Sequence, residues 1–423
     1  MKEKLLQFIW QFQYFNLNSL TTLSGDALQI IDPGKLNLNQ GPDFLLAKIK
    51  INNTLWIGNI EIHIKSGSWY SHQHDIDNNF KNVILHVVWE NDIDVYDQNG
   101  AIIPTLCIQD RVSKIMLNKY ESLMNSKGFL PCAGQLENVN KITLATWQDR
   151  LVIERLQRKA SKVFKFQAQN NQNWEESLWW LISRNFGTKV NSQFFEDIAR
   201  SIPISILGKH RNQLHQIEAL LLGQAGLLEK SFQEDYPIML QKEFRFLKHK
   251  YKLEEVPGRI LLLRMRPANF PTIRLAQLAV MVSQSEHIFS KILETTNFAD
   301  LKKHFEITAN EYWHYHYLPD VISEYKPKSL GVQMIENLFV NTIIPALYAY
   351  GYFNKDQGLI EKAISWLFEC EAENNSITKE FKKLSLPNKN SYDSQFLIQL
   401  KTEYCNSKRC LECAIGNAII KQQ

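Results

Sequence analysis

Gly41-Pro42-Asp43-Phe44, followed by Gly58-Asn59-Ile60-Glu61-Ile62-His63-Ile64-Lys65, decides how this chain is to be read. Residues 55–64 are rich in β-branched and aromatic side chains, the composition of a strand, on which successive residues point to opposite faces. Glu61, His63 and Lys65 then share one face, and Ile60, Ile62 and Ile64 take the other. A turn at Asn52-Asn53 folds the strand that follows Asp43 back beside this one. Two carboxylates, an imidazole and an ammonium are expected together. Such a set has a chemical use. Mg²⁺ takes one or two carboxylates along with water and phosphate oxygens, and a nearby His or Lys orients the attacking water. Asp43 and Glu61 are therefore the expected ligands of Mg²⁺ (or Mn²⁺), with His63 or Lys65 at the water.

Working outward, residues 5–15 read as a helix. Residues 27–31, 45–51, 55–64 and 83–89 read as strands, and 101–108 as a further short one. Asp32-Pro33-Gly34, Asn52-Asn53 and Ser66-Gly67-Ser68 mark the turns between them. From about Thr143 the apolar period becomes helical, with helices expected over 147–166, 175–184, 192–201, 213–222, 273–282, 332–350 and 359–371. Strands followed by helices predict an α+β fold. A mixed β-sheet with flanking helices is expected over 1–125, and a large, mainly α-helical domain over 126–423.

At 423 residues the chain is long enough for two cores. Its net charge of +4 is small for that length, so a nucleic-acid partner has to be argued from local patches. The first fifteen residues lack the apolar core of a signal peptide, and no apolar run approaches the ~20 residues of a membrane span. A cytoplasmic protein without membrane contact is expected.

Three further groups carry chemistry. His72-Gln73-His74-Asp75 offers imidazoles and a carboxylate to Zn²⁺ or Mn²⁺, or to a substrate, while His86 falls on a buried strand. Cys405, Cys410 and Cys413 have the spacing Cys-x₄-Cys-x₂-Cys, three thiols within reach of one centre. Zinc and iron–sulfur sites want a fourth ligand. Cys132 is the first candidate, with Cys370 or a His second, for a structural 4Fe–4S cluster or Zn²⁺. Arg264, Arg266 and Arg274 surround the extended Pro267-Ala268-Asn269-Phe270-Pro271 segment, suited to phosphate contacts or to fixing helix packing.

The Pro42-Asp43 pair, the hairpin and Glu61 resemble the restriction-endonuclease-like PD-(D/E)xK nucleases. His63 stands where that superfamily has Lys, and Lys65 follows two residues on, so the role at the water is open between them. The resemblance implies a metal-dependent nuclease acting on DNA or RNA, with DNA the first candidate, and with Glu3 of the first helix as an added acidic residue. Some of these nucleases carry an iron–sulfur staple, which suits the cysteine cluster. The whole chain resembles a bacterial family of domains of unknown function, family 2851. That likeness is carried by Gly41–Phe44, Gly58–His63, Asn82–Val88, Gly223–Gly226, Arg264–Pro271, Glu373-Asn374 and the cysteines. The alternatives are a nucleic-acid-binding or scaffolding protein with a degenerate site, and a small-molecule metallohydrolase built on His72, His74 and Asp75.

Overall fold

In the computed structural model, which describes residues 2–262 and 267–421, helix α1 (Glu3–Gln11) precedes a run of strands. These are β1 (Leu28–Asp32), β2 (Lys35–Leu36), β3 (Phe44–Ile51) and β4 (Thr54–Lys65), then a one-turn helix α2 (Ser68–Ser71), β5 (Val83–Glu90) and β6 (Thr105–Cys107). The protein is mixed α/β. It divides into two units, residues 1–147 with 400–423, and residues 148–399.

The expected helix over 5–15 forms over 3–11. Leu5, Leu6, Phe8, Ile9 and Trp10 are buried along it, each fully buried aliphatic contributing roughly 1.5–3 kcal/mol. The chain then turns out of the helix, with Gln13 at a positive φ of 53°.

Among the described residues the sheet of the first unit runs β1-β3-β4-β5-β6, with β2 also paired to β3. The β1–β3 and β3–β4 pairs are antiparallel, whereas β4–β5 and β5–β6 are parallel. The β3–β4 connection is the expected Asn52-Asn53 turn, and Asn52 takes a left-handed φ of 50°. The parallel pairing begins where β4 passes Gly58. A Cβ there would lie 2.4 Å from Ile84 Cγ2 and 2.7 Å from the Asn82 carbonyl oxygen, so the close approach needs glycine.

Central parallel strands are covered on both faces. Helix α1 and α2 both pack against β4. Trp69 of α2 joins Phe80, Val95 and Ile103 in a buried cluster. As a result Ile60, Glu61, Ile62 and His63 are all buried, not only the isoleucines. His86 on β5 is wholly buried too.

The second unit is mainly helical. Its helix Pro271–Gln284 is buried almost all round, from Pro271 to Val282, as expected of a central helix. Trp179, Trp180 and Trp313 lie in its core, each indole nitrogen hydrogen-bonded. The helix expected over 332–350 is interrupted by a π-turn at Phe339–Ile343 before resuming as Ile344–Asn354. No described helix is long and apolar enough to cross a membrane.

Candidate metal centre

Asp43 immediately precedes β3, and the hairpin sets it beside Glu61 of β4. Each carboxylate accepts from a backbone N–H at or next to the other residue. The Asp43 N–H donates to Glu61 Oε2 at 3.1 Å, and the Ile62 N–H donates to Asp43 Oδ2 at 3.2 Å. From α1, Gln7 Nε2 donates to Asp43 Oδ1 at 2.8 Å. Glu3, one turn earlier, is close enough to act electrostatically on Asp43. Burial, then the Glu61 charge, push the Asp43 carboxyl up to about 7.

The imidazoles converge on the other side of Glu61. Its Oε1 lies 3.4 Å from His63 Nε2 and 3.3 Å from His74 Nε2. His63 Nε2 is 3.2 Å from His72 Nδ1. One ligand nitrogen each of His63, His72 and His74 lie within 4.8 Å of one another. Two local features bring the 72–74 segment in. Gln73 has a left-handed φ of 60°, which reverses the chain between the two histidines. His74 then lies flat on Phe80, with centroids 3.7 Å apart, and stacks on His63 at 5.3 Å.

His86 fixes the orientation of His63. Parallel register puts His86 opposite Glu61, and its Nε2 sits 2.8 Å from His63 Nδ1. Burial and the neighbouring histidines drive the pKa of His63 down to about 2, and burial with His74 takes His86 down to about 3. Both are neutral at physiological pH, the form in which imidazole binds metals. His86 Nδ1 is buried without a hydrogen-bond partner among the described residues.

Lys65 is placed differently. It is exposed at the end of β4, with its Nζ 3.9 Å from Glu90, so that His63 rather than Lys65 stands among the buried donors. Sequence reasoning missed Gln7 and the part played by His86. The signal for Gln7 was its i+4 spacing from Glu3 on α1. No local pattern announces the pairing of His86 with His63.

Residues 3–376 match the family model described as "Protein of unknown function (DUF2851)". The chain belongs to this family. It has no match among the curated proteins and none among the solved structures.

In this DUF2851 member a second group of donors lies within the first unit. Cys132, Cys405, Cys410 and Cys413 are buried and free of disulfides. Cys405 feels the charges of the other three thiols, and Cys132 those of Cys413 and Cys410. Burial pushes the Cys132 and Cys410 thiols up to about 12. Cys413 precedes the helix Ala414–Lys421 and accepts backbone N–H bonds from Ile415 and Gly416. A Cβ at Gly416 would fall 2.3 Å from the Cys410 carbonyl oxygen, so the turn closes only with glycine. Lys401 Nζ donates to the Phe129 carbonyl at 2.5 Å and Lys408 to that of Met124, tying the C-terminal segment to the stretch leading into Cys132. Cys370 belongs to the second unit, where Glu336 hydrogen-bonds its thiol.

Of the arginines, Arg264 and Arg266 lie outside the described residues. Arg274 is buried in the second unit.

Proposed function

We propose that this protein is a metal-dependent phosphodiesterase of nuclease type, with its centre at His63, His72, His74, Glu61 and Asp43. The observation that carries the proposal is the convergence of three imidazole nitrogens on one another, two of them against the Glu61 carboxylate, which is itself locked to Asp43. The order of elements also supports it: helix α1, the hairpin carrying Pro-Asp and Glu-x-His, the helical segment α2 and the apolar strand β5 follow the order that the PD-(D/E)xK likeness implies.

The donors fit a divalent metal. Two of the imidazoles are buried or half-buried beside Glu61, and His63 is neutral. A set of imidazoles with one carboxylate suits Zn²⁺, Fe²⁺ or Mn²⁺ better than Mg²⁺, which the carboxylate pair alone would favour. Such an ion supplies Lewis acidity and offsets charge developing on a phosphoryl group. His86 holds the ring of His63, in the way that metal-bound histidines are commonly oriented through their second nitrogen. Gln7 and the Ile62 N–H orient Asp43, whose pKa near neutrality suits it to exchange a proton with water.

The pH dependence follows from Asp43. Its folded pKa lies above the ordinary value of 3.8, so the folded protein holds a proton there that the unfolded chain has lost. Stability of the metal-free protein therefore falls as pH rises from about 4 to about 7. The carboxylate is needed both to attract a cation and to accept a proton. Metal affinity and turnover are expected to rise about tenfold per unit up to pH 7 and then level off. Asp43→Asn should flatten the affinity profile and remove turnover; titration calorimetry and rate–pH curves check this.

The cysteine set would hold a structural centre, Zn²⁺ or a 4Fe–4S cluster, within the first unit: its thiols are in electrostatic range of one another, though among the described residues they do not form a closed ligand group. Four buried thiols in mutual electrostatic contact are otherwise a costly arrangement once ionised.

The direct test is cleavage of labelled single- and double-stranded DNA and RNA with Mn²⁺, Zn²⁺ or Mg²⁺, beside Asp43→Ala. Metal-dependent cleavage lost in the variant is expected. Absence of cleavage by folded, metal-loaded protein that still binds nucleic acid would replace this reading with the binding or scaffolding one.

A further inference from the structure

Arg274 is a buried cation that no carboxylate answers among the described residues. It lies on the central helix Pro271–Gln284 of the second unit and is only 4% exposed. Its terminal nitrogens reach neutral acceptors: Nη1 donates to Gln277 Oε1 at 3.0 Å, and Nη2 to Asn269 Oδ1 at 2.6 Å. Nε has no hydrogen-bond partner among the described residues. Residues 263–266, outside the described structure, are Leu, Arg, Met and Arg and contain no acid. Burial draws the Arg274 pKa down to about 10, so the group stays charged at neutral pH. An uncompensated buried charge is costly to keep, and an anionic ligand would offset that cost.

The guanidinium forms part of the wall of a cavity of about 640 Å³ within the second unit, in the range that holds small-molecule ligands. Lys162, Arg184 and Lys189 bring three more cations to it, with Asn185 and Ser192 as neutral hydrogen-bonding groups. None of the described residues lining it is Asp or Glu. The nearby Glu196 is already shared by Arg184 at 2.7 Å, Arg200 at 2.9 Å and Lys162 at 3.5 Å. One carboxylate among three cations leaves the wall with a positive surplus. A monoanion such as a carboxylate would leave much of that surplus uncompensated. A phosphate dianion has the charge, and enough acceptor oxygens to meet a guanidinium and an ammonium at once.

We propose that this cavity binds a phosphomonoester of nucleotide size, with its phosphate on Arg274. The site lies wholly in the second unit and does not depend on the hydrolase reading, so each can fail alone.

The test is calorimetric titration of the full-length protein with the four ribonucleoside 5′-monophosphates and the matching nucleosides. At least one monophosphate is expected to bind with a Kd below about 1 mM, an affinity of ~4 kcal/mol or more, and its nucleoside not at all. Arg274→Met should weaken binding at least tenfold, as loss of a buried charged partner does, and Arg274→Lys less so. Lys189→Ala removes an exposed side chain without risk to the core. It should weaken binding a few-fold, which keeps the proposal testable if the Arg274 variants do not fold. Three results would overturn it: no monophosphate binds, nucleosides bind as tightly, or Arg274→Met (Lys189→Ala, where Arg274→Met does not fold) binds like the parent protein. Competition by a 5′-phosphorylated oligonucleotide but not by mononucleotides would also overturn the small-molecule assignment.

Discussion

His63→Ala is expected to abolish divalent-metal binding in the first unit and to lower phosphodiesterase activity by ~10³-fold or more, about 4 kcal/mol of transition-state stabilisation. His63 touches Glu61 and all three other histidines of the cluster. Its Nε2 lies 3.4 Å from Glu61 and 3.2 Å from His72, its ring stacks on His74, and its Nδ1 meets His86 at 2.8 Å. Removing it deletes one ligand and releases two more. His86 provides the graded comparison. It holds the ring of His63 from behind, so His86→Ala should cost roughly 10–100-fold in metal affinity, the range seen when such supporting groups are lost. His86→Gln keeps a polar group in reach of Nδ1 and should recover part of it. Metal content and binding isotherms of the purified variants check both. Unchanged metal affinity in His63→Ala would show that the imidazoles form a purely structural hydrogen-bonded cluster.

Cys132→Ser should have the largest effect on stability. A structural tetrathiolate centre couples its binding free energy, on the order of 10 kcal/mol for zinc in small domains, to folding. Loss of one thiolate should drop the melting temperature by about 10 °C or more and expose residues 400–421 to proteolysis. It should also remove stoichiometric zinc or the visible absorption of an iron–sulfur cluster. Cys370→Ser, in the other unit beside Glu336, should leave the metal content unchanged. Equal metal content in the two variants would rule out the four-cysteine centre.

The hairpin and the meeting of Asp43 with Glu61 were legible because both depend on short-range rules: period-two alternation on β4 and a two-residue turn before it. Lys65 shows where alternation stops being enough. It shares the parity of Glu61 and His63, but β4 emerges from the core at that point, and Lys65 turns to Glu90 at 3.9 Å. Parity assigns a face; burial is set by what covers it. His72 and His74 were recognised as a metal-type pair, yet their arrival at His63 depends on the left-handed Gln73 and on the Trp69–Phe80 packing.

The sequence by itself determined the order of strands and then helices, the acidic pair, the histidine and cysteine motifs, and the family. These are written in local periodicity, turn residues and spacing. Only the tertiary structure decided that β5 lies parallel to β4 in the register that sets His86 against His63, since a parallel partner is chosen by the whole sheet rather than by a turn. It also decided that residues 400–421 fold back to set Cys405, Cys410 and Cys413 within electrostatic range of Cys132, and that Arg274 lines a cavity to which no described lining residue brings a carboxylate. Each of these unites residues far apart in the chain, and only the packing of the folded molecule determines such neighbours.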